Sequence, residues 1–252
     1  MPSRIAGFRK RLTGRDPLIG TWAKTPSPII AEVLGLSRLD VVCIDTEHAP
    51  FGRLELDQSI AAFRAADMPN LVRTADDSAR EIRNALDCGA TGIVVPHVTT
   101  AEQARAIVKA SHFGDQGRGY AGSHRAAGYT TKAMADNLAA NRDQTTVIVQ
   151  IEDIAALDNV AEIAAVDGVD CLFIGRIDLA VAMQKSASDP AVLDAVRRIC
   201  DDCEAAGTAI GMFTPDVAEL PDWQKAGASL FLLSSDQSLL LAGANALAKS
   251  IP

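Results

Sequence analysis

Eight short apolar runs recur along the chain, and each is followed by a segment with the residue spacing of an amphipathic helix. The runs are almost continuously apolar, which is typical of parallel strands covered on both faces. The predicted strands are Leu18–Ala23, Val41–Thr46, Asn70–Thr74, Gly92–His97, Thr146–Ile151, Cys171–Gly175, Thr208–Phe213 and Leu230–Ser234. Eight strand–helix units in 252 residues predict an α/β fold, a (β/α)8 TIM barrel forming a single domain over residues 1–252. An open doubly wound sheet usually has fewer strands and a Gly-rich phosphate loop, and the sequence has no GxGxxG motif.

Helix signals lie between the apolar runs. Ser78 followed by Glu81 forms a capping box, and Gly89 can end the helix that begins there. One connection, of about 35 residues before Thr146, is much longer than connections in compact domains usually are. It is rich in Gly, Arg, His and Tyr, so we predict an active-site loop rather than a tolerated insertion.

The charge balance excludes one class of partner. The chain has 32 acidic and 24 basic residues, a formal net charge of −8, and such a surface repels a phosphate backbone. We therefore predict no nucleic-acid partner. The basic N-terminus lacks the apolar stretch of a signal peptide, and polar residues interrupt the apolar segment near residues 229–248. We therefore also predict a cytoplasmic protein with no membrane partner.

The five cysteines are an odd number, and four of them lie in or beside apolar segments. This pattern predicts small core residues in a reducing compartment rather than a disulfide framework. Cys200 and Cys203 form a CxxC motif, but it lies inside a helix-period run, and no second pair completes a zinc site. We therefore predict a structural role for both.

Charged and polar residues follow five of the predicted strands. They are Asp45-Thr46-Glu47-His48, Arg73, Pro96-His97, Gln150-Ile151-Glu152-Asp153 and Gly175-Arg176-Ile177-Asp178. In a (β/α)8 barrel the active site lies where the strands end, so these groups are expected to meet at one rim. The sequence therefore predicts an active site there.

Three residues of this rim have a chemistry that can be predicted from their type. Glu152 and Asp178 follow neighbouring strands, and two carboxylates with open water positions suit a hard divalent cation such as Mg2+ or Mn2+. The alternative is that both carboxylates cap the following helices. Arg73 is suited to binding a carboxylate or a developing enolate oxygen, or else to an ion pair with Asp45 or Glu47.

A histidine at the rim is the candidate general base. His48 follows two acids, and a histidine beside a carboxylate can accept protons near neutral pH. His97 and His124 are competing candidates for the same role. A purely structural role for His48 remains open at this point.

These residues lie within a set of motifs that resembles the HpcH/HpaI aldolase family. The motifs are GTW at 20–22, DTEH at 45–48, LVR at 71–73, DCGATGIVVPHV at 87–98, GRG at 117–119, QIED at 150–153 and FIGRIDLA at 173–180. The resemblance implies a (β/α)8 barrel with a swapped C-terminal helix in a homo-oligomer, usually a hexamer built as a trimer of dimers. It also implies reversible, metal-dependent cleavage of a 4-hydroxy-2-oxo acid to pyruvate and an aldehyde.

The resemblance also implies roles for individual residues. Glu152 and Asp178 match the metal ligands for Mg2+, Mn2+ or Co2+, His48 matches the catalytic base, and Arg73 matches the group that stabilises the enolate. Trp22, Gln150, Gly175, Ile177 and Asp178 match the substrate-binding set. Asp87 matches the acid that makes the histidine more basic. No lysine is expected to form a Schiff base, and the predicted tips of strands two to six carry none.

Asp87 lies near the end of the helix after the third strand, so it is expected at the far end of its own barrel from His48. We therefore predict an active site completed across a subunit interface. The chain also departs from the family pattern, because Arg176 replaces a proline, Ile177 replaces a small residue, and His112 begins a stretch that lacks the usual Pro-Pro pair. Arg176 is expected either to bind an acidic or polyhydroxylated substrate tail or to pair with a loop carboxylate.

Two other functions remain open at this point. One is a citrate-lyase-like lyase acting on acyl-CoA esters, which the acidic charge and the lack of a basic cluster disfavour. The other is a non-catalytic barrel that binds a 2-oxo acid as a sensor. His48 together with both candidate metal ligands favours the aldolase.

Overall fold

Eight parallel strands form a closed barrel in which each strand pairs with its neighbours in chain order and β8 pairs with β1. The structure is a computed structural model that describes residues 3–250. The strands are β1 (Leu18–Ala23), β2 (Val41–Asp45), β3 (Asn70–Arg73), β4 (Gly92–Val95), β5 (Thr146–Ile151), β6 (Cys171–Ile174), β7 (Ala209–Phe213) and β8 (Ala228–Ser235). The prediction of a single-domain (β/α)8 barrel is confirmed.

The helices surround this barrel. They are α1 (Arg4–Thr13), α2 (Pro28–Gly35), α3 (Arg53–Ala65), α4 (Ala79–Cys88), α5 (Ala101–Ser111), α6 (Met134–Gln144), α7 (Val160–Ala164), α8 (Arg176–Ala182), α9 (Pro190–Ala206), α10 (Leu220–Lys225) and α11 (Asp236–Ala248). Helix α4 shows how local sequence sets these bounds. The Ser78 side chain accepts a hydrogen bond from the Glu81 N–H, and Gly89 ends the helix with a φ of 99°, where a side chain would be strained.

Alternate residues of each strand face two separate cores. Residues such as Val42, Ile44 and Val72 pack outward against the helices, in the larger core. A second core fills the barrel interior, where the side chains of Leu18, Leu71 and Ile148 meet the α1 residues Phe8 and Leu12. Helix α1 precedes β1 and its buried side chains close the barrel at the end where the strands begin. The opposite end, where the strands finish, is thus the end left open for a site.

The strand ends differ from the prediction by one or two residues, and the differences lie mainly at the open end. Thr46, Thr74 and His97 lie beyond the last paired residues of their strands. Strand β8 begins two residues earlier than predicted, at Ala228. Thr46 and Thr74 still donate backbone hydrogen bonds to Arg73 and Val94, so the neighbouring strands hold the start of the rim segments in place.

The long connection after α5 packs against α1, α4 and α3 of its own barrel. It joins the end of a helix to the start of β5, and such connections lie at the end of the barrel where the strands begin. Arg9 of α1 donates to the backbone oxygen of Arg142 at 2.6 Å, and Arg118 pairs with Asp87 of α4 at 2.6 Å. Arg125, later in the same segment, pairs with Asp57 of α3, a helix that begins at the rim side of the barrel. The active-site loop stays a prediction. The segment also contains a helix, α6, that the pattern of apolar residues does not predict.

All five cysteines are buried. Cys200 and Cys203 lie on the buried face of α9, and burial raises the pKa of each thiol to about 12. Thiols with such pKa values stay protonated at neutral pH and are poor nucleophiles. This supports the structural role predicted for the CxxC motif.

The C-terminal helix α11 presents a strongly apolar exposed surface. Leu240 and Leu247 are each more than 70% exposed, and Leu239 and Leu241 also face away from the barrel. A surface of this kind is suited to packing against another protein surface. Within residues 3–250, no helix combines the length and the apolar character that crossing a bilayer requires.

Candidate active site

A cavity of about 310 Å³ opens where the strands end. Of the residues predicted to act or to bind substrate, seven line this cavity: Trp22, His48, Arg73, Gln150, Gly175, Ile177 and Asp178. They come from β1, β3, β5 and the segments that follow β2 and β6. The closure of the barrel thus brings to one place side chains that are far apart in the sequence.

Arg73 is fixed in the cavity wall by a buried carboxylate. Its Nε and Nη2 atoms donate to the two oxygens of Asp45 at 3.0 and 2.8 Å, and Asp45 is fully buried. Burial alone raises the pKa of Asp45, but the hydrogen bonds and charge of Arg73 outweigh it, so the pKa lies below its usual range. The remaining nitrogen, Nη1, lies 3.3 Å from Glu47 Oε2. Both predicted ion pairs therefore form, and Arg73 still borders the cavity.

Two neighbours complete the surroundings of Arg73. The ring of Trp22 lies under the guanidinium at 4.5 Å, within cation–π range. Lys24, which the sequence analysis overlooked, places its Nζ 3.2 Å from Asp45 Oδ2 and also lines the cavity. It follows β1 directly, so applying the strand-end rule to the first strand would have found it.

Glu152 lies deep in the site and accepts two hydrogen bonds. The backbone N–H of His97 donates to Oε1 at 3.0 Å, and the Gln150 amide donates to Oε2 in a short contact. His97 adopts a φ of 57°, an unusual conformation for a histidine that turns this N–H toward the carboxylate. Burial raises the pKa of Glu152 to about 7, and the charges of Asp178 and Glu47 act in the same direction. Such a crowded carboxylate favours a positively charged partner.

Gly175 allows Glu152 and Gln150 to pack this closely. A Cβ atom at this position would lie 2.7 Å from Glu152 Oε2 and 3.0 Å from Gln150 Nε2. The first of these distances is far below van der Waals contact. Any side chain at this position, directly after β6, would therefore clash with Glu152.

Three side chains form a group with the spacing of metal ligands. One donor atom from each of Glu47, His97 and Glu152 lies within 4.8 Å of the others. The predicted pair shares Glu152 with this group, while Asp178 lies in the first turn of α8, close enough to influence the pKa of Glu152. No side-chain cap is formed by Glu152 or Asp178 at the helices described in residues 3–250. The alternative role of helix capping is therefore wrong for both.

Two histidines lie here in different settings, His97 as a member of this group and His48 beside it. The ring of His48 is half exposed, and its Nε2 lies 3.7 Å from Glu47 Oε2. The ring of His97 bonds to Asp153 at 2.9 Å through Nδ1. Burial lowers the pKa of His97, but the charges of Asp153, Glu152 and Glu47 outweigh it and raise the pKa. His48 is the histidine that lines the cavity, so it is the one with direct access to a bound substrate.

Asp87 lies outside this cavity. It sits near the end of α4, where it accepts hydrogen bonds from Arg118 Nε and Nη2, and His124 Nε2 lies 3.6 Å from it. Within its own chain, Asp87 thus lies near His124 and does not line the cavity that His48 borders. A histidine partner for Asp87 in another subunit stays a prediction.

The structure decides between the two expectations for Arg176. Its Nη1 lies 2.7 Å from Glu219 Oε2, and Glu219 also accepts hydrogen bonds from Trp223 Nε1 at 3.0 Å and Thr214 Oγ1 at 3.2 Å. Burial raises the pKa of Glu219, but these bonds outweigh it and lower the pKa. Arg176 therefore lines the cavity and pairs with a loop carboxylate, which is the second of the two expectations. Glu219 belongs to a turn after β7, and its role was not predicted.

Residues 18–242 match the family model described as HpcH/HpaI aldolase/citrate lyase. The chain belongs to this family. Relatives include a 5-keto-4-deoxy-D-glucarate aldolase of Shigella boydii serotype 18, 34% identical over 91% of this chain and 90% of the relative. Another is a hydroxypyruvate/pyruvate aldolase of Paraburkholderia phytofirmans, 34% identical over 93% of each chain.

A solved structure agrees with this membership. An HpcH/HpaI aldolase/citrate lyase family protein from Burkholderia cenocepacia J2315 superposes with a TM-score of 0.92, at 33% identity, covering 98% of this chain and 99% of that one. The HpcH/HpaI resemblance predicted from the motifs is confirmed. As a member of this family with relatives that are aldolases, the chain is an enzyme of the carbon–carbon lyase class.

Proposed function

We propose that the protein is a class II aldolase that reversibly cleaves a 4-hydroxy-2-oxo acid to pyruvate, or a related 2-oxo acid, and an aldehyde. The observation that carries the proposal is that a fixed arginine and Asp178 line one cavity, while the charge of Asp178 acts on the buried, crowded carboxylate of Glu152. Cleavage next to a carbonyl needs a site that holds negative charge on the keto oxygen, and both elements serve that purpose.

A divalent cation fits the carboxylates. Glu152 is buried among the charges of Asp178 and Glu47, and Glu47 Oε2 has no hydrogen-bond partner within residues 3–250. Oxygen donors of this kind suit Mg2+, Mn2+ or Co2+. We assign Glu152 and Asp178 as the ligands, with Glu47 and His97 beside them. When bound, such a cation draws electron density from the keto oxygen of the substrate.

Arg73 faces the oxygen on which negative charge develops. Its bidentate bond to Asp45 and its packing on Trp22 fix the direction of the guanidinium before substrate arrives. A donor that is already oriented does not have to reorganise as the charge appears. The remaining edge of Arg73 is thus available to the enolate of pyruvate.

The carboxylate end of the 2-oxo acid has its own contacts. Gln150, Gly175, Ile177 and Asp178 line the cavity where α8 begins, and backbone N–H groups at the start of a helix bind anions. We assign these residues and Trp22 to substrate binding. They would orient the bond between C3 and C4 toward His48.

His48 is assigned as the base that takes the proton from the 4-hydroxyl group as the aldehyde forms. Asp87 would support a histidine of a neighbouring subunit in a homo-oligomer, a hexamer built as a trimer of dimers with swapped C-terminal helices. The exposed leucines of α11 support this arrangement. Mixing inactive His48→Ala and Asp87→Ala proteins under conditions that exchange subunits should restore activity, because hybrid interfaces regain one intact site. Hybrids that stay inactive would overturn the shared site.

The reaction class is tested by pyruvate release from 4-hydroxy-2-oxo acids. Protein treated with chelator should be inactive, and Mg2+, Mn2+ or Co2+ should restore turnover. Glu152→Gln should abolish the metal-dependent activity, while Glu162→Gln, an exposed change on α7, should leave it intact.

Lys24 gives this test a second arm. Lys24 lines the cavity and is a lysine that could form a Schiff base there, but the proposed class II mechanism uses none. Borohydride added with pyruvate should therefore trap no covalent adduct. Metal-independent activity trapped at Lys24 would refute the class II mechanism. Turnover of acyl-CoA esters instead of hydroxy-oxo acids would favour the CoA lyase.

A further inference from the structure

A second cavity, of about 340 Å³, lies at the end of the barrel where the strands begin. Its wall consists of residues just before β3, β4 and β5, the start of α1, the long connection after α5, and α6. In the described part of the chain, no residue lines both this cavity and the one at the strand ends. Its volume lies in the range of small-molecule sites, about 300–1,000 Å³. A ligand bound here would therefore be additional to the substrate of the aldolase.

Three side chains in this wall have nitrogen donors without a protein partner. Arg64, at the end of α3, donates one hydrogen bond, from Nη1 to the backbone oxygen of Gly89 at 3.1 Å, and forms no other within residues 3–250. Lys132 Nζ contacts the backbone oxygen of Ala126 at 3.5 Å, which leaves two of its three donors. Asn137 of α6 is 4% exposed, and its Nδ2 has no partner in the described residues.

His124 supplies a fourth donor. Its Nδ1 accepts a hydrogen bond from the Ala127 N–H at 3.2 Å, so the proton of the neutral ring lies on Nε2. Burial and the charge of Arg118 lower the pKa of His124 despite the opposing charge of Asp87, which favours this neutral form at neutral pH. The Nε2 atom is buried and has no hydrogen-bond partner within residues 3–250, since Asp87 Oδ1 is 3.6 Å away. An oxygen of a ligand would satisfy this donor.

Two acids lie at this cavity, and each already has a cation beside it. Asp87 neutralises Arg118, whose Nη2 lies 2.6 Å from it. Asp67 lines the cavity, and its two oxygens accept hydrogen bonds from the hydroxyl and backbone N–H groups at the start of α1. The charge of Arg4 also acts on Asp67 and helps to lower its pKa. These two acids and two arginines together add no net charge.

The positive charges of Arg64 and Lys132 are left over. Arg125, whose charge lowers the pKa of Arg64 together with burial, is itself paired with Asp57 at 2.5 Å. The other acids of the long connection and α6 are exposed, and within residues 3–250 none of them pairs with a residue of the cavity wall: Asp115, Asp136 and Asp143. With His124 neutral, the cavity wall and its ion-pair partners thus carry a net charge of about +2.

The donors lie on α3, on the long connection and on α6, so they surround the cavity from different sides. A phosphate group carries nearly two negative charges at neutral pH and accepts hydrogen bonds on at least three oxygens, whereas a carboxylate has one charge and two oxygens. We propose that this cavity binds the phosphate group of a small molecule, either inorganic phosphate or a phosphate ester. Arg64 and Lys132 supply the charge, and His124 and Asn137 supply neutral hydrogen bonds.

The test is calorimetric titration of chelator-treated protein, at constant ionic strength and about pH 7.5, with inorganic phosphate, ribose 5-phosphate and ribose. Lys132→Met and Arg64→Gln each remove one charge, and Lys225→Met, an exposed change on α10, is the matched control. We expect both phosphates to bind and ribose not to. The first two variants should raise Kd about ten- to a hundred-fold, the range for a hydrogen bond to a charged group, and the control less than about two-fold. Tighter binding of ribose 5-phosphate would support the site and identify a phosphate ester as its ligand, and equal binding would support it with the phosphate group alone recognised.

Failure of both phosphates to bind would overturn the inference. An unchanged Kd in Lys132→Met would overturn it as well, because the anion would then bind elsewhere. Succinate that binds as tightly as phosphate would refute the phosphate class. Lys132 is exposed, so its variant is expected to fold and decides the question even if Arg64→Gln does not fold. The titration needs neither metal nor turnover, so its outcome is separate from that of the proposed aldolase activity.

Discussion

The ion pair of Arg73 and Asp45 should contribute more to the free energy of unfolding than an ion pair on the surface does. Arg73→Met removes the guanidinium and keeps much of the apolar stem, leaving Asp45 fully buried. Removing one member of a buried ion pair typically costs 3–5 kcal/mol, because the other charge stays in the interior. Lys24 remains 3.2 Å from Asp45, so we expect a value near the lower end, about 3 kcal/mol.

Urea unfolding followed by circular dichroism measures this cost. Arg11→Gln is the matched control, since Arg11 pairs with Asp40 at 2.9 Å on the surface and is itself 41% exposed. An exposed pair of this kind contributes about 0–1 kcal/mol. If Arg73→Met cost no more than Arg11→Gln, the buried pair would not stabilise the fold as argued.

The same variant has a predicted pH dependence. The pKa of Asp45 in the folded protein is lowered below its unfolded value of about 4, so its contribution to stability is present above that pH. The contribution is lost as the pH falls through the lowered folded value. In Arg73→Met the opposing effect of burial is no longer offset by the guanidinium, so the pKa of Asp45 rises. The free energies of unfolding of the two proteins should therefore differ most at neutral pH and converge in acid. A difference that stayed constant down to about pH 3 would contradict this assignment.

Three further predictions concern the site and the core. Gly175→Ala should lower kcat/KM at least about ten-fold and should also lower Tm, because its Cβ would lie 2.7 Å from the buried Glu152 side chain and would displace it and Gln150. A fully active variant would contradict this. Mn2+ at about a hundred times its Kd should stabilise the wild type by about 2.7 kcal/mol in thermal unfolding but not Glu152→Gln, and equal shifts would place the metal elsewhere. The cysteines should react with a thiol reagent at pH 8 only after urea unfolding, since burial raises their pKa values; rapid labelling of the native protein would show otherwise.

The barrel could be predicted from the sequence because its signal is repeated. Strands buried on both faces have to be apolar throughout, and eight such runs leave little choice of architecture. Helix α6 carries a different signal. Its buried face is formed by Asn137 and Asn141, and the Asn141 side chain bonds to the backbone N–H of Phe113 and the backbone oxygen of Ser111. A search for apolar residues at helical spacing misses a helix that is anchored through amides.

The sequence predicts which residues lie at the rim, but only some of the contacts that they make there. Residue types at the strand ends were enough to select Glu152, His48 and Arg73 as candidates. The partners of those residues depend on side-chain positions that no spacing rule gives. The hydrogen bond from the His97 N–H to Glu152, for example, depends on a left-handed backbone conformation at a histidine. The pairing of Arg176 with Glu219 depends on a turn after β7 whose course is set by tertiary packing.

The topology of the barrel also bears on the proposal that the active site is shared between subunits. Within its own chain, Asp87 contacts Arg118 and His124, whereas His48 lines the cavity where the strands end. Asp87 can therefore support a catalytic histidine at a rim only if its barrel packs against the rim of another. The apolar face of α11 follows β8 and starts at the rim, which is where such a contact would have to form. Assembly and catalysis are thus expected to be lost together when that helix is removed.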